Sequence, residues 1–245
     1  MGTVNLFEAV RQANTVQVVI NVTTDKCYEN KEWMWGYRET DTLGGRDPYS
    51  SSKGCSELVT SAYRHSFFNS QATANIASVR AGNVIGGGDW ATDRLTPDVL
   101  RSFTNRKAIK VRNPNSIRPW QHVLEPLSGY LKLAEKLYIH GEKFVGSWNF
   151  GPEDVDAKTV RFVINYLVAK FDEKTEVVYD RAEQVHEAKL LKLDISKAKT
   201  LLNWEPRWGL FKALDSIIDW HKKWSSGEDA RKVTLSQMKA FEKWE

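Results

Sequence analysis

The sequence predicts an α/β protein with a parallel sheet, followed by a more irregular α+β part. Two observations carry the first half of that reading. Residues 16–25 (VQVVINVTTD) and 73–85 (TANIASVRAGNVI) are apolar, β-branched runs of the kind that form strands buried on both faces. Between them, from Pro48 onward, Leu58, Val59, Ala62, Tyr63 and Phe67 recur at helical steps. Strand, helix and strand in that order describe a βαβ unit. A third observation covers the rest: after residue 90 short apolar helices alternate with short strands.

The elements follow in chain order. Val4, Leu6, Phe7, Ala9 and Val10 have helical spacing, and the pattern stops at Ala13-Asn14. After the strand of residues 16–25 comes a polar, Trp-rich stretch with Trp33, Trp35 and a Gly44-Gly45 turn, which reads as a long loop. Pro48, one place before Tyr49, opens the next helix. The second strand runs into Gly86-Gly87-Gly88. Helices are expected over 95–103, 124–138 and 159–171, and strands over 108–111 (AIKV) and 175–179 (TEVVY). A last helix over 209–224 ends in a polar tail.

Composition excludes several classes. The 245 residues carry a net charge of +4, with 10 Trp, 8 Tyr and 10 Phe against only 7 Pro, which is not the make-up of a disordered chain. The charge excess is small and spread out, so it predicts no nucleic-acid partner and is compatible with an anionic small substrate. Two cysteines, Cys27 and Cys55, cannot build a disulfide framework, and a reducing, cytoplasmic setting is the expectation. No apolar stretch approaches the roughly 20 residues of a membrane span. The first residues, MGTVNLFEAVRQAN, do not read as a signal peptide. The five histidines are scattered without ligand spacing, so no metal site is expected.

One constellation stands out. Tyr49 and Lys53 form a Tyr-x-x-x-Lys pair, which a helix places on one face. An ammonium fixed beside a phenol favours the phenolate and lets it act as a base. The spacing alone is weak, because Tyr166 and Lys170 repeat it and read as an ordinary surface pair. Context separates the two. Tyr49 opens the helix that follows a buried strand ending in Thr23-Thr24-Asp25-Lys26, and the carboxyl ends of parallel strands face the crevice where such sheets bind ligands. Cys27 beside them has no evident base and reads as a buried thiol. The Gly86–Gly88 run lacks the Gly-x-Gly-x-x-Gly pattern and reads as a turn, not a phosphate loop. Trp120 is the one tryptophan expected near a ligand.

The strand ending in TTDK, then PYSSSK, then SVRAGNVIGGGDW, resembles the extended short-chain dehydrogenase/reductases. More narrowly, Thr24-Asp25-Lys26 with RPWQHV (118–123), HEAKLLKLDISKA (186–198) and LNWEPRW (202–208) is similar to the nucleotide-sugar 4,6-dehydratases that act on CDP-glucose, and the likeness spans nearly the whole chain. The resemblance implies the C-terminal portion of a Rossmann-type sheet, covering 1–92 and 118–151, with a smaller substrate domain over 93–117 and 152–245. It implies NAD as cofactor, a nucleotide sugar (CDP-glucose) as substrate, and a homodimer paired through the helices of residues 2–13 and 49–69.

The family oxidises C4 of the glucose with bound NAD⁺, eliminates water across C5–C6 and returns the hydride to C6. By resemblance Tyr49 takes the C4 hydroxyl proton, Lys53 supports it and holds the nicotinamide ribose, and Thr23 lies on the cofactor side. Thr24 hydrogen-bonds the C4 oxygen, Lys26 removes the C5 proton, and Asp25 protonates the departing C6 hydroxyl. Lys26 must therefore act neutral and Asp25 protonated, opposite demands that make the neighbours a coupled pair. Asn83, Arg94, Arg112, Arg118 and His186 are implied substrate contacts, guanidinium forks being suited to phosphate oxygens. The family's opening Gly-x-x-Gly-x-x-Gly turn is nowhere in the sequence. The expectation is that roughly one hundred residues of the parent precede Met1, that strand 16–25 keeps an unpaired edge, and that this chain alone binds NAD⁺ poorly and does not turn over. Two other readings stay open: another extended short-chain epimerase or reductase, and a non-catalytic interaction module.

Overall fold

The computed structural model describes residues 1–13, 15–68, 74–171, 175–179 and 188–243. In chain order the elements are α1 (Gly2–Gln12), β1 (Val18–Val22), α2 (Pro48–Phe67), β2 (Asn75–Ala81), β3 (Asn83–Ile85), α3 (Leu95–Asn105), β4 (Ile109–Val111), β5 (Ile117–His122), α4 (Leu124–His140), β6 (Gly146–Phe150), β7 (Ala157–Thr159), α5 (Val160–Phe171), β8 (Val177–Tyr179), α6 (Ser196–Leu202), α7 (Leu210–Ser225) and α8 (Ala230–Glu242). The chain forms two compact units, Met1–Gly82 with Pro126–Gly151 and Leu191–Glu205, and Asn83–Glu125 with Pro152–Leu190 and Pro206–Glu245.

The first unit holds a parallel sheet in the order β1-β2-β6, with Ile20 beside Ala77 and Val79 beside Trp148. Among the described residues β1 is paired on one side only. Ala77 and Val79 of β2, Trp148 and Phe150 of β6, and Leu133 and Leu137 of α4 share one core. Burying each large apolar side chain there contributes about 1.5–3 kcal/mol. Leu191, Leu193 and Ile195 join that core, which is why 191–205 belongs to the first unit and not, as expected, to the substrate domain.

Helix α2 corrects the apolar reading of its pattern. Its buried residues are Ser50, Gly54, Glu57 and Thr60, a polar and small stripe, whereas Leu58 is 60% and Phe67 45% exposed. Val59 and Tyr63 pack toward Phe7 and Ile76, the cluster that α1 shares. The helix starts where it should: Asp47 caps it by accepting from the Ser50 N–H at 3.0 Å, and Pro48 fills the first turn. The Trp-rich loop is packed, with Tyr37 stacked between Tyr28 and Trp33 at 5.1 Å from each.

The second unit begins at β3, earlier than the expected boundary at residue 92, because the run read as one strand breaks at Gly82 and β3 pairs with β5. For the same reason 118–125 lies in this unit. Strand β5 is parallel to β3 and antiparallel to β7, and β4 pairs with β8. Its core is built from Val99, Phe103, Trp120, Val163, Leu167, Leu214 and Ile217. The expected polar tail is helical: Asp229 caps α8, which buries Val233 and Phe241. Gly87 is required by packing, since a Cβ there would lie 2.2 Å from Cγ of Trp220, and Gly88 has φ +76°. Trp120 is a core residue, 3% exposed, its indole N–H donating to the Lys158 carbonyl at 2.9 Å, and not a ligand-facing one.

Candidate functional site

β1 ends at Val22, and the chain turns at once into a short 3-10 turn, Asp25–Cys27. Thr24 caps that turn. Its hydroxyl accepts from the Lys26 N–H at 3.3 Å and donates to Oδ1 of Asp25 at 3.1 Å. Thr23, Thr24 and Asp25 are buried, the last only 3% exposed, while Lys26 is exposed. Gly54 of α2 seats the helix on the turn, a Cβ there falling 3.6 Å from the Cys27 carbonyl. The first turns of α2 thus bring Tyr49 and Lys53 to the end of β1. Lys53 Nζ lies 3.4 Å from the Val22 carbonyl, and Tyr49 is half exposed. All five expected catalytic residues sit on two abutting elements of one unit.

Thr23 departs from the expected cofactor-facing role: its hydroxyl donates inward to Glu57 Oε1 at 2.5 Å and lies 3.1 Å from the Val79 carbonyl. Behind it is a buried polar network that the sequence reading missed. Arg80 donates to Glu57 at 2.8 Å and to the Tyr28 hydroxyl at 2.8 Å, and Ser78 donates to Glu57 at 2.6 Å. Burial alone would raise the Glu57 carboxyl, but Arg80, Ser78 and Thr23 outweigh it and hold the group below its ordinary range. The signal for this network was in the sequence, as a Glu and an Arg inside otherwise buried elements. A second missed neighbour is Tyr130 of α4, whose phenol is raised by burial and, less, by the charge of Asp25.

Cys27 is fully buried, and burial pushes its thiol up to about 12, as suits an inert core thiol. The duplicate pair behaves oppositely to a catalytic one. Tyr166 donates to Asp215 at 2.8 Å, and burial with that carboxylate pushes its phenol up to about 12.

In the second unit Asn83 opens β3. Arg94 precedes α3 and Arg112 follows β4. Both are exposed and face Asp89 at 3.8 Å and Asp93 at 3.3 Å, pairs worth no more than about 1 kcal/mol. Arg118 of β5 is 3% exposed and donates to the Ile117 carbonyl at 3.0 Å, so it is not a surface cation. His186 lies outside the described residues. Among the described residues no cluster of three or more His, Cys, Asp or Glu side chains could hold a metal ion, and no helix is long and apolar enough to cross a membrane.

The parallel sheet with a Thr-Asp-Lys turn at one strand end and Tyr-x-x-x-Lys on the following helix defines a Rossmann-type protein of the short-chain dehydrogenase/reductase kind. The family model for GDP-mannose 4,6 dehydratase matches residues 1–217, and the chain belongs to that family. A CDP-glucose 4,6-dehydratase of Salmonella typhimurium is 57% identical over 233 residues, 94% of this chain and 65% of that protein. The chain therefore spans about two thirds of that relative's length. A dTDP-glucose 4,6-dehydratase of Xanthomonas campestris is 21% identical over 90% of this chain and 64% of its own. Among solved structures, dTDP-glucose 4,6-dehydratase from Bacillus anthracis in complex with NAD superposes with a TM-score of 0.73 at 22% identity, covering 91% of this chain and 67% of that one. UDP-glucuronic acid 4-epimerase from Bacillus cereus, in complex with UDP-glucuronic acid and NAD, gives 0.77 at 19% identity over 91% and 66%. At these identities the structures establish the fold, shared by dehydratases and epimerases alike.

Proposed function

We propose that the chain carries the catalytic residues of an NAD-dependent CDP-glucose 4,6-dehydratase, a lyase forming the 4-keto-6-deoxy sugar nucleotide. The observation that carries this reading is the Thr24-Asp25-Lys26 turn abutting the first turns of α2, in a chain 57% identical to a CDP-glucose 4,6-dehydratase. The exposed Tyr49 and the half-buried Lys53 at the end of β1 fit the nicotinamide-ribose side of the cofactor. Bound NAD⁺ supplies the hydride acceptor and, after elimination, the hydride donor.

The chain's own groups do the proton work. Tyr49, supported by the ammonium of Lys53, accepts the C4 hydroxyl proton, and Thr24 turns its hydroxyl from Asp25 Oδ1 to donate a hydrogen bond to the C4 oxygen. Once C4 is a ketone, the C5 proton is acidic and Lys26, exposed beside the turn, removes it. Asp25 gives its proton to the C6 hydroxyl as water departs. In the second unit Asn83, Arg94, Arg112 and Arg118, with His186, are assigned to the nucleotide diphosphate. The chain is assigned to the cytoplasm as a homodimer joined through α1 and α2, where Leu6, Leu58 and Phe67 are exposed.

The test is to titrate the chain with NAD⁺ and then supply CDP-, dTDP-, UDP- or GDP-glucose deuterated at C4. The chain alone is expected to bind NAD⁺ weakly, and product, where it forms, should come from CDP-glucose and carry deuterium at C6. A C4 epimer in its place makes the chain an epimerase. Product from another sugar nucleotide but not from CDP-glucose overturns the CDP-glucose reading, and absence of NAD⁺ binding leaves an interaction module.

A further inference from the structure

Two elements must keep register for the proposed chemistry: the β1 turn, with Thr24, Asp25 and Lys26, and α2, with Tyr49 and Lys53. They differ in how they are held. Near the turn the buried stripe of α2 holds Ser50, Gly54 and Glu57 and no large apolar side chain; its apolar contacts, Val59 and Tyr63 on Phe7 and Ile76, and the Asn21 bonds to Ser56 and Thr60 lie further along the helix. Gly54 makes only an ordinary contact with the turn. Glu57 follows Lys53 by four residues and Tyr49 by eight, so all three share a helix face. Its two carboxylate oxygens divide their work. Oε2 takes Arg80 and Ser78 of β2, at 2.8 and 2.6 Å, and Oε1 takes the hydroxyl of Thr23 at 2.5 Å. Thr23 adjoins Thr24, and its N–H is itself tied to the Val79 carbonyl at 2.9 Å.

We propose that Glu57 is a positioning residue: anchored to β2 through Arg80, it uses Thr23 to lock the helix bearing Tyr49 and Lys53 to the turn bearing Thr24, Asp25 and Lys26. A charge-assisted hydrogen bond in a buried site is short and directional, which gives register where an apolar contact would let the helix slide. The inference rests on the dehydratase reading for what is positioned, but its geometry does not.

The test keeps the Glu57–Arg80 pair intact and removes only the link. Thr23→Val deletes the hydroxyl at nearly constant shape, and Thr23→Ser restores it. In the 245-residue chain labelled with [¹³C]tyrosine, the Tyr49 ring resonance, assigned with Tyr49→Phe, should move in Thr23→Val and return in Thr23→Ser. Tyr63, further along α2 and held by Glu8, should stay in place in both. Where turnover is measurable, kcat falls roughly tenfold in Thr23→Val with KM unchanged, and Thr23→Ser restores it. An unmoved Tyr49 resonance overturns the proposal, as does a raised KM for NAD⁺ with unchanged kcat, which would make Thr23 a cofactor contact. A moved resonance in a chain that forms the C4 epimer counts against the dehydratase reading alone.

Discussion

Glu57 and Arg80 form an ion pair with Arg80 Nη2 2.8 Å from Glu57 Oε2, and neither side chain is more than 2% exposed. Two charges taken out of water cost several kcal/mol each, and the pair offsets this only because Thr23, Ser78 and Tyr28 supply further hydrogen bonds. Removing one partner is therefore worse than removing both. Arg80→Met should destabilise the first unit by about 3–5 kcal/mol, and Glu57→Leu/Arg80→Met should recover much of that. Urea denaturation of the two variants beside the parent chain measures it; equal losses in the single and the double variant would show that the charges are not coupled.

The same pair sets acid stability. Glu57 is held below its ordinary value of 4.5, so the unfolded chain takes up the proton first as pH falls. Its contribution is complete above pH 4.5 and is lost as pH drops through the lowered native value. The acid unfolding limb should shift when Thr23→Val removes one of the bonds holding the carboxylate ionised. Denaturation midpoints followed below pH 4.5 read this directly.

His122 acts in a higher window. Its ring is 2% exposed, accepts from the Leu124 N–H at 3.3 Å, and burial lowers it from 6.5 to about 4. The neutral ring is the folded form, so the unfolded state binds more protons between those values. About 3 kcal/mol of stability in the second unit should disappear as pH falls from 6.5 towards 4. In His122→Phe the stability of that unit should lose its slope over this range, as followed by Trp fluorescence.

Gly87 and Trp220 predict an overpacking cost. Trp220 is 5% exposed and its indole N–H is held by the Thr234 hydroxyl at 2.9 Å, so it cannot swing away from an added Cβ without breaking that bond. Gly87→Ala should cost about 1–3 kcal/mol, and Gly87→Ala/Trp220→Leu should lose the clash at the expense of a smaller core. Thermal melts of the two variants decide it; an unchanged midpoint in Gly87→Ala would mean the loop relaxes freely.

What was legible in the sequence was what the chain keeps local. The β-branched runs announced β1 and β2, and Thr24-Asp25-Lys26 and Tyr49-x-x-x-Lys53 each fall within five residues, so the site could be read before any contact was known. Glu57 and Arg80 could not be paired in advance, because their partnership crosses from α2 to β2 and depends on tertiary register. β6, GSWNF, has no β-branched run and only the four-residue alternation Ser-Trp-Asn-Phe, too short a signal until β2 offers it a parallel edge. α8 buries only Val233 and Phe241, too sparse a stripe to separate from a solvated tail. The apolar spacing in α2 found the helix but misplaced its face, since a polar network does the work usually given to leucines.

Asp25 tests the chemistry itself. Its carboxyl is buried, Oδ1 accepts from the Thr24 hydroxyl at 3.1 Å, and Tyr130 lies within range of its charge. Asn has nearly the same shape and still accepts from Thr24, so the turn should persist. It cannot protonate a leaving hydroxyl. Asp25→Asn should therefore leave C4 oxidation within a few-fold of the parent, seen as reduced cofactor formed on mixing, while elimination falls by about 10²–10⁴-fold. Tyr49→Phe should do the reverse, blocking oxidation so that elimination is never reached. The two half-reactions are followed separately by cofactor absorbance and by product mass. Equal loss of both in Asp25→Asn would assign that carboxyl to holding the turn, and the proton for the departing water would have to come from another group.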